Sequence, residues 1–287
     1  VNVAVLGLGP MGIGITRNLA EAGSQPIVWN RTDPRGKSIP RSGVRIVATP
    51  GDAAAATVLS VLPDVDQFRA VTGPEVWARW HREGVERVIV MSTTSPSRIR
   101  DLESELAPFS IAVADAAMSG GEAGALAGTM SIMVGARLPD WRAIEPILNT
   151  IGSVVQRFGD PGAGSVAKLC NQVVVAGTLG ALAEALALAE RADIDRSALC
   201  NIFAGGLASS ALLAAKRERL LSHQYTPSGS AVNQLKDLRY VASLAGELGA
   251  AVPITDVLAD LFAAVVEDGR GDEDHSVVIE QLRRPPR

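Results

Sequence analysis

Three glycines stand close to the N-terminus in the run Gly7-Leu8-Gly9-Pro10-Met11-Gly12. A short apolar run, 1–6, precedes them, and helical spacing of apolar residues follows over 13–22. Strand, glycine turn and helix in that order suit a dinucleotide. The first glycine permits the tight turn, the second leaves room for a pyrophosphate, and the third lets helix and strand approach closely. The helix N-terminus adds N–H groups and a favourable field. The plain alternative is a turn whose small residues serve packing alone. At the end of the next strand candidate, 25–29, stands Asn30-Arg31-Thr32. A carboxylate at this point would accept hydrogen bonds from the adenosine ribose and repel a 2′-phosphate. Instead Arg31 can pair with such a phosphate and lie over the adenine, and Thr32 offers a hydroxyl donor. Arg35 and Lys37 add positive field nearby. These residues point to NADP rather than NAD, against the alternative of a solvated basic loop.

Two further strand ends belong to the same region. Leu62-Pro63 is a natural place for the chain to turn across the dinucleotide. In the stretch 91–96, Thr93 is a candidate neighbour of the nicotinamide, with a helix cap at Thr94 or Ser95 as the structural alternative. Chemistry on a carbonyl or alcohol at such a cofactor needs the reacting carbon near nicotinamide C4 and a proton donor near the oxygen. Lys168 is the leading donor. It follows the small stretch Gly162-Ala163-Gly164-Ser165, and Lys168, Asn171 and Gln172 share one helix face at i, i+3 and i+4. Three polar groups on an apolar helix need partners if buried, and a bound polar substrate would supply them; a surface stripe is the alternative. Ser119, with the backbone N–H groups of Gly120 and Gly121, can form a nest for a carboxylate, although such turns are common.

The elements that must position these residues alternate in the first half. Strand candidates fall at 1–6, 25–29, 45–48, 57–61, 85–91, 111–114, 131–134 and 154–158, with helices between several of them, for instance 97–107, 122–127 and 140–148. That alternation predicts an α/β domain with a Rossmann-type, doubly wound, largely parallel sheet over residues 1–160. Beyond Asp160-Pro161-Gly162 no strong strand candidate remains. A long alanine-rich helix over 164–189, about 39 Å at standard rise, joins the sheet domain to an all-helical one. Helices at 196–203, 209–221, 231–248, 253–267 and 276–282 complete a second domain, 161–287, whose expected roles are substrate binding and dimerisation. The basic tail 283–287 is expected to fray.

Composition fits an ordinary globular chain: 287 residues, 47% hydrophobic, 20% charged, formal net charge -4. That charge gives no reason to expect nucleic acid as a partner. Cys170 and Cys200 are too few for a disulfide scaffold and form no CxxC pair. The opening apolar run is short, interrupted by Gly7 and without a basic leader, so no membrane association and cytoplasmic residence are expected. No metal is expected. His81 and His223 lie in polar surroundings and His275 in a charged stretch, none with ligand spacing, and Asp272, Glu273 and Asp274 read as caps of the last helix. No Ser-His-Asp arrangement is present.

Taken together, these motifs resemble those of the β-hydroxyacid dehydrogenase family, which includes 3-hydroxyisobutyrate dehydrogenase, several semialdehyde reductases and, more distantly, 6-phosphogluconate dehydrogenase. The resemblance rests on 7–12, on 115–121, on Gly162-x-Gly164-x-x-x-Lys168-x-x-Asn171-Gln172, on Lys236-Asp237-Leu238 and on Asp274-His275-Ser276. It implies an NADP-dependent oxidoreductase acting on a small carboxylate-bearing alcohol or aldehyde. Lys168 would be the general acid and base, and Ser119, Gly120 and Gly121 would hold the carboxylate. Asn171 and its neighbour would fix the substrate, Thr93 would line the cleft, and Lys236 would reach cofactor and substrate. A homodimer or homotetramer built around the long helix is implied as well. Imine reductases share the architecture and are the alternative, though Lys168 argues against an ordinary one. Two departures bear on the substrate. Gln172 stands where relatives carry a second Asn. Gly229, seven residues before Lys236, stands where many carry an aromatic wall, which predicts a roomier or more mobile pocket and a bulkier substrate.

Overall fold

The structure is a computed structural model and describes residues 2–32, 39, 40 and 42–284. Arg35 and Lys37 lie outside the described residues. The chain divides into two compact units, Val1–Lys168 and Leu169–Arg287.

The first unit is built in chain order from β1 (Val3–Leu6), α1 (Pro10–Glu21), β2 (Ile27–Trp29), β3 (Arg45–Ile46), β4 (Thr57–Ser60), α2 (Val65–Val71) and α3 (Gly73–Arg82). It continues through β5 (Arg87–Val90), α4 (Pro96–Leu106), β6 (Ala112–Ser119), α5 (Gly121–Ala127), β7 (Met130–Gly135), α6 (Leu138–Leu148) and β8 (Gly152–Gly159). All eight expected strands are present in one sheet, ordered β3-β2-β1-β4-β5-β6-β7-β8. Only β6 and β7 pair antiparallel; every other pair is parallel. The chain runs outward from β1 to β3 and then returns to lay β4 on the other side of β1. That reversal opens a crevice at the carboxyl ends of β1 and β4, where open α/β sheets bind ligands.

Strand alternation explains why both faces are covered. Val3 and Val5 face one core with Ile15, Leu19, Leu59, Ile89 and Ile144. Ala4 and Leu6 face the other with Val58, Phe68, Trp80, Val88 and Ile99. A period of two that is apolar on both sides requires helices on both sides. β6 runs on to Ser119, so Asp115 to Met118, expected in a loop after the strand, are strand residues paired with β7. Their small, apolar side chains fit a strand between two neighbours.

α1 and α5 pack backbone against backbone. A Cβ on Gly14 would lie 2.5 Å from the Ala125 carbonyl carbon. Asn18 clamps the contact, its amide donating to the carbonyls of Gly14 at 2.9 Å and Ala125 at 2.7 Å. The helix that follows the glycine-rich turn is thereby fixed to the helix that follows Ser119-Gly120.

α7 (Ala163–Arg191) begins in the first unit and runs into the second, which adds α8 (Arg196–Gly205), α9 (Ala211–Ser222), α10 (Ala231–Leu248), α11 (Pro253–Glu267) and α12 (Ile279–Leu282). By length and composition α7 is apolar enough to cross a membrane, yet half of its most apolar window is buried inside the protein. Ala176, Leu179, Ala183 and Leu186 pack there with Leu213, Leu238, Phe262 and Val278. A core helix of a helical domain passes the same test of length and hydropathy.

One carboxylate holds the second unit's chain end. Asp274 is fully buried and accepts from Lys216 Nζ at 2.6 Å, from Ser276 N at 3.0 Å and Oγ at 2.7 Å, and from the Ser228 hydroxyl. Its cap on the turn His275–Val278, just before α12, matches the expected capping role. Its partnership with Lys216 was not visible in the sequence. These donors hold its carboxyl well below the usual range against the opposing effect of burial. His275 is buried too, and desolvation pushes it down to about 4, so it is neutral. The tail is anchored rather than frayed as far as it is described: Arg283 bonds Glu190 at 2.7 Å and Glu280 at 2.6 Å, and Arg284 pairs with Asp268.

Two substitutions test this construction. Lys216→Ala removes the nearer of two cations from the buried Asp274 carboxylate and leaves Arg219 at 3.9 Å; it should cost about 3 kcal/mol in chemical denaturation, and a loss under about 1 kcal/mol would show the pair to be dispensable. Gly14→Ala forces α1 from α5 and should cost about 1–3 kcal/mol, whereas an unchanged midpoint would contradict the close approach.

Candidate active site

The glycine turn is shaped by what a Cβ would strike. Gly7 has φ +99°, and a Cβ there would lie 2.7 Å from the Val61 carbonyl oxygen at the end of β4. A Cβ on Gly12 would lie 2.0 Å from the Gly7 carbonyl oxygen. Gly9 differs, since nothing lies within 4 Å of the position its Cβ would take. Two glycines therefore close the turn and the third leaves its outer side open. Gly9 is the N-cap of α1 without a side-chain cap, Pro10 sits in the first turn, and no acidic side chain follows there. The first N–H groups of the helix keep their capacity for an anion.

Asn30 braces this turn. Its side-chain oxygen accepts from Leu8 N at 2.8 Å, and its amide donates to the Thr32 carbonyl at 2.9 Å and hydroxyl at 2.8 Å. Arg31 and Thr32 are exposed beside it. Leu62 lies near Gly7, at 3.1 Å from where a Cβ would sit, and Pro63 follows it after β4. Thr93 is half-buried just beyond β5, and Ser95, not Thr94, caps α4 by accepting from Arg98 N at 3.4 Å. The first unit thus brings the sequence-predicted residues of 7–12, 30–32, 62, 63 and 93 to the carboxyl ends of β1, β2, β4 and β5.

Ser119 ends β6, half-buried, and Gly120 and Gly121 follow with φ of +122° and +62°. Side chains rarely adopt these conformations, so the turn requires glycine and presents its backbone to solvent. Asp115, four residues earlier on the same strand, is fully buried. Its carboxylate accepts from Gly162 N at 2.7 Å and Ser165 N at 2.5 Å, at the start of α7. Burial pushes its pKa up to about 6, partly offset by those bonds. The motif 115–121 shows Asp115 only as one of its residues; its link to the helix that carries Lys168 is a contact across the fold that spacing cannot reveal.

Lys168 lies in the second turn of α7 and is 6% exposed, which removes the surface-stripe alternative for this residue. Gln172 is 7% exposed, and Asn171 keeps a buried side-chain oxygen without a hydrogen-bond partner among the described residues. In the second unit Gln172 Nε2 donates to Asp237 Oδ2 at 2.7 Å, and Lys236 Nζ lies 3.6 Å from Asp237 Oδ1 and 5.9 Å from the centre of the Tyr240 ring. The extra methylene of Gln172 therefore serves to reach Asp237, a contact on which the sequence was silent. Gly229 has nothing within 4 Å of its Cβ position, yet its backbone is held: its carbonyl accepts from His275 N at 2.7 Å. The residue is exposed and its backbone is tied.

The open Gly9, the glycines that close the turn and the free N-terminus of α1 fit a dinucleotide, and the orphaned oxygen of Asn171 fits a ligand hydroxyl or amide. Among the described residues no group of three His, Cys, Asp or Glu could hold a metal ion.

Comparison with known proteins agrees. Residues 2–159 match the family described as the NAD binding domain of 6-phosphogluconate dehydrogenase. Residues 162–282 match that described as NAD-binding of NADP-dependent 3-hydroxyisobutyrate dehydrogenase. The 2-hydroxy-3-oxopropionate reductase of Escherichia coli is 28% identical over 98% of this chain and 97% of its own. A crystal structure of 3-hydroxyisobutyrate dehydrogenase from Salmonella typhimurium superposes with a TM-score of 0.87, at 27% identity, covering 97% of this chain and 99% of that one. An imine reductase of Myxococcus stipitatus, at 18% identity, TM-score 0.65 and coverage of 98% and 100%, shares the fold. The chain belongs to the 3-hydroxyisobutyrate dehydrogenase family of NAD(P)-dependent hydroxyacid oxidoreductases.

Proposed function

We propose that the protein is an NADP-dependent dehydrogenase or reductase of a small β-hydroxyacid or its semialdehyde, with Lys168 as general acid and base. The observation that carries this reading is a lysine buried one turn inside an apolar helix, next to an orphaned amide oxygen, in a chain of this family. The nicotinamide, when bound, supplies or takes the hydride at the substrate carbon. In reduction, the Lys168 ammonium gives its proton to the oxygen as charge builds there; in oxidation, the neutral amine takes it back. Ser119 and the N–H groups of Gly120 and Gly121 hold the substrate carboxylate. Asn171 orients the substrate, Gln172 braces Asp237 beside Lys236, and Lys236 supplies positive charge to cofactor and substrate. Gly7 to Gly12, Leu62, Pro63 and Thr93 line the dinucleotide.

NADP is favoured over NAD because Arg31 and Thr32 stand exposed beyond β2 with no carboxylate among residues 30–32. The space at Gly229 favours a substrate bulkier than a two-carbon semialdehyde. A homodimer or homotetramer is supported by the apolar surface of α7, where Val174 is 65% and Leu188 70% exposed.

The test is Lys168→Ala, assayed with NADPH on short and long semialdehydes. Turnover should fall by ~100-fold or more while NADPH binding persists; an unchanged rate removes Lys168 from the mechanism. Preference for the two-carbon substrate would contradict the roomy pocket. Good turnover of substrates without a carboxylate, indifferent to Ser119→Ala, would favour an imine or other carbonyl reductase. Arg31→Ala should weaken NADPH much more than NADH, and an equal loss for both would overturn the 2′-phosphate role.

A further inference from the structure

Helices usually satisfy their first N–H groups with a local Ser, Thr, Asp or Asn at the N-cap. α7 has none, because the residue before Ala163 is Gly162. The two donors that a local capping box would satisfy, at the N-cap and three residues on, are those of Gly162 and Ser165. Both go instead to the carboxylate of Asp115, one to each oxygen, from a strand 47 and 50 residues earlier. The space around that carboxylate is made of backbone. A Cβ on Gly135 would lie 2.3 Å from Asp115 Oδ1, and one on Gly164 would lie 2.9 Å from Oδ2 and 2.5 Å from the Met133 carbonyl oxygen. Gly162 itself has φ +98°, and its Cβ position is 3.2 Å from the Pro96 carbonyl oxygen. Four pieces meet here: the start of α4 just after Thr93, the strand that ends in Ser119, its neighbour β7, and the first turn of α7.

We infer that Asp115 is a positioning residue for Lys168: its carboxylate locks the first turn of α7 to the sheet and so fixes where the lysine stands. Lys168 follows Ser165 by three residues on the same helix, so the side chain is carried less than one turn beyond the clamp. Four residues separate Asp115 from Ser119 on β6, so the same carboxylate ties the turn assigned to the substrate to the helix assigned to the proton. A local Ser or Asp cap is closed to this helix, because the backbone at Gly162 has φ +98° and a Cβ there would crowd the Pro96 carbonyl oxygen. A charged group buried to 0% exposure in a sheet is a costly way to cap a helix, and its raised pKa, pushed up to about 6 by burial, expresses that cost. With a folded value above the ordinary 3.8, the folded state holds the extra proton between about pH 4 and 6. Stability therefore falls as pH rises through that window, and the ionised clamp is kept at neutral pH in spite of it.

This inference rests on Lys168 being the general acid and base, and a double-mutant cycle separates the two. Asp115→Asn keeps shape and one acceptor but turns an NH₂ group towards an N–H donor. It should lower kcat by about 10- to 100-fold at a temperature where the variant is fully folded, with NADPH affinity within about two-fold, because small misplacement of a reacting group is costly. Asp115→Glu should not restore the rate, since Gly135 and Gly164 leave no room for another methylene. In a Lys168→Ala background, Asp115→Asn should add less than about two-fold, because the group it positions is gone. Additive losses in the double variant, or a loss that appears only as the variant unfolds, would overturn the positioning role while leaving Lys168 in place. If Lys168→Ala alone leaves kcat unchanged, it is the proposed mechanism that fails, whatever Asp115→Asn does.

Discussion

The first unit depends on backbone approaching backbone more closely than any side chain would allow. At the start of α1 the Gly12 Cα packs against the Gly7 carbonyl, and at the start of α7 Gly164 packs against the Met133 carbonyl, with 2.0 Å and 2.5 Å left for a Cβ. These are the two helices whose beginnings the proposed function uses, one as the dinucleotide turn and the other bearing Lys168. Glycine at both lets a helix N-terminus sit on the sheet itself, so its position follows from the register of β1, β4, β6 and β7 rather than from the lie of a loop. Rigid elements hold a reacting group to a fraction of an ångström better than loops do.

Much of this was legible in the residues because it is written locally. Short apolar runs announced all eight strands, and the helical spacing of the second half announced every helix from α7 onward, with boundaries shifted by a few residues. The role of Gly7 and Gly12 could be read from their order alone, since strand, glycine turn and helix leave few alternatives. Pairing across the fold could not be read. Asp115 looked like part of a substrate motif, and its grip on Gly162 and Ser165 depends on β6 lying beside the start of α7. Lys216 stands in a helix of mixed charges with no sequence feature to mark it, and only the return of the chain end brings Asp274 to it. β6 extends past the expected end at residue 114 to Ser119: Asp115 is a poor strand former, and its burial and two N–H partners outweigh that propensity.

The departures from the family pattern take on physical content in the second unit. Gln172 differs from asparagine by one methylene, and that methylene carries its amide to Asp237, next to Lys236. Gly229 removes a side chain without loosening the chain, because the flanking Ser228 is bonded to Asp274 and the Gly229 carbonyl to His275. One buried ion pair between Lys216 and Asp274 thus holds the segment that carries Gly229.

The most direct test is a crystal structure of the protein with NADP and a non-reacting carboxylate analogue of the substrate. Lys168 Nζ should lie within about 2.6–3.2 Å of the oxygen that would be reduced or oxidised, with the carbon bearing that oxygen over the nicotinamide and the carboxylate on Ser119 to Gly121. A Lys168 side chain directed to solvent while cofactor and analogue are both bound would contradict it.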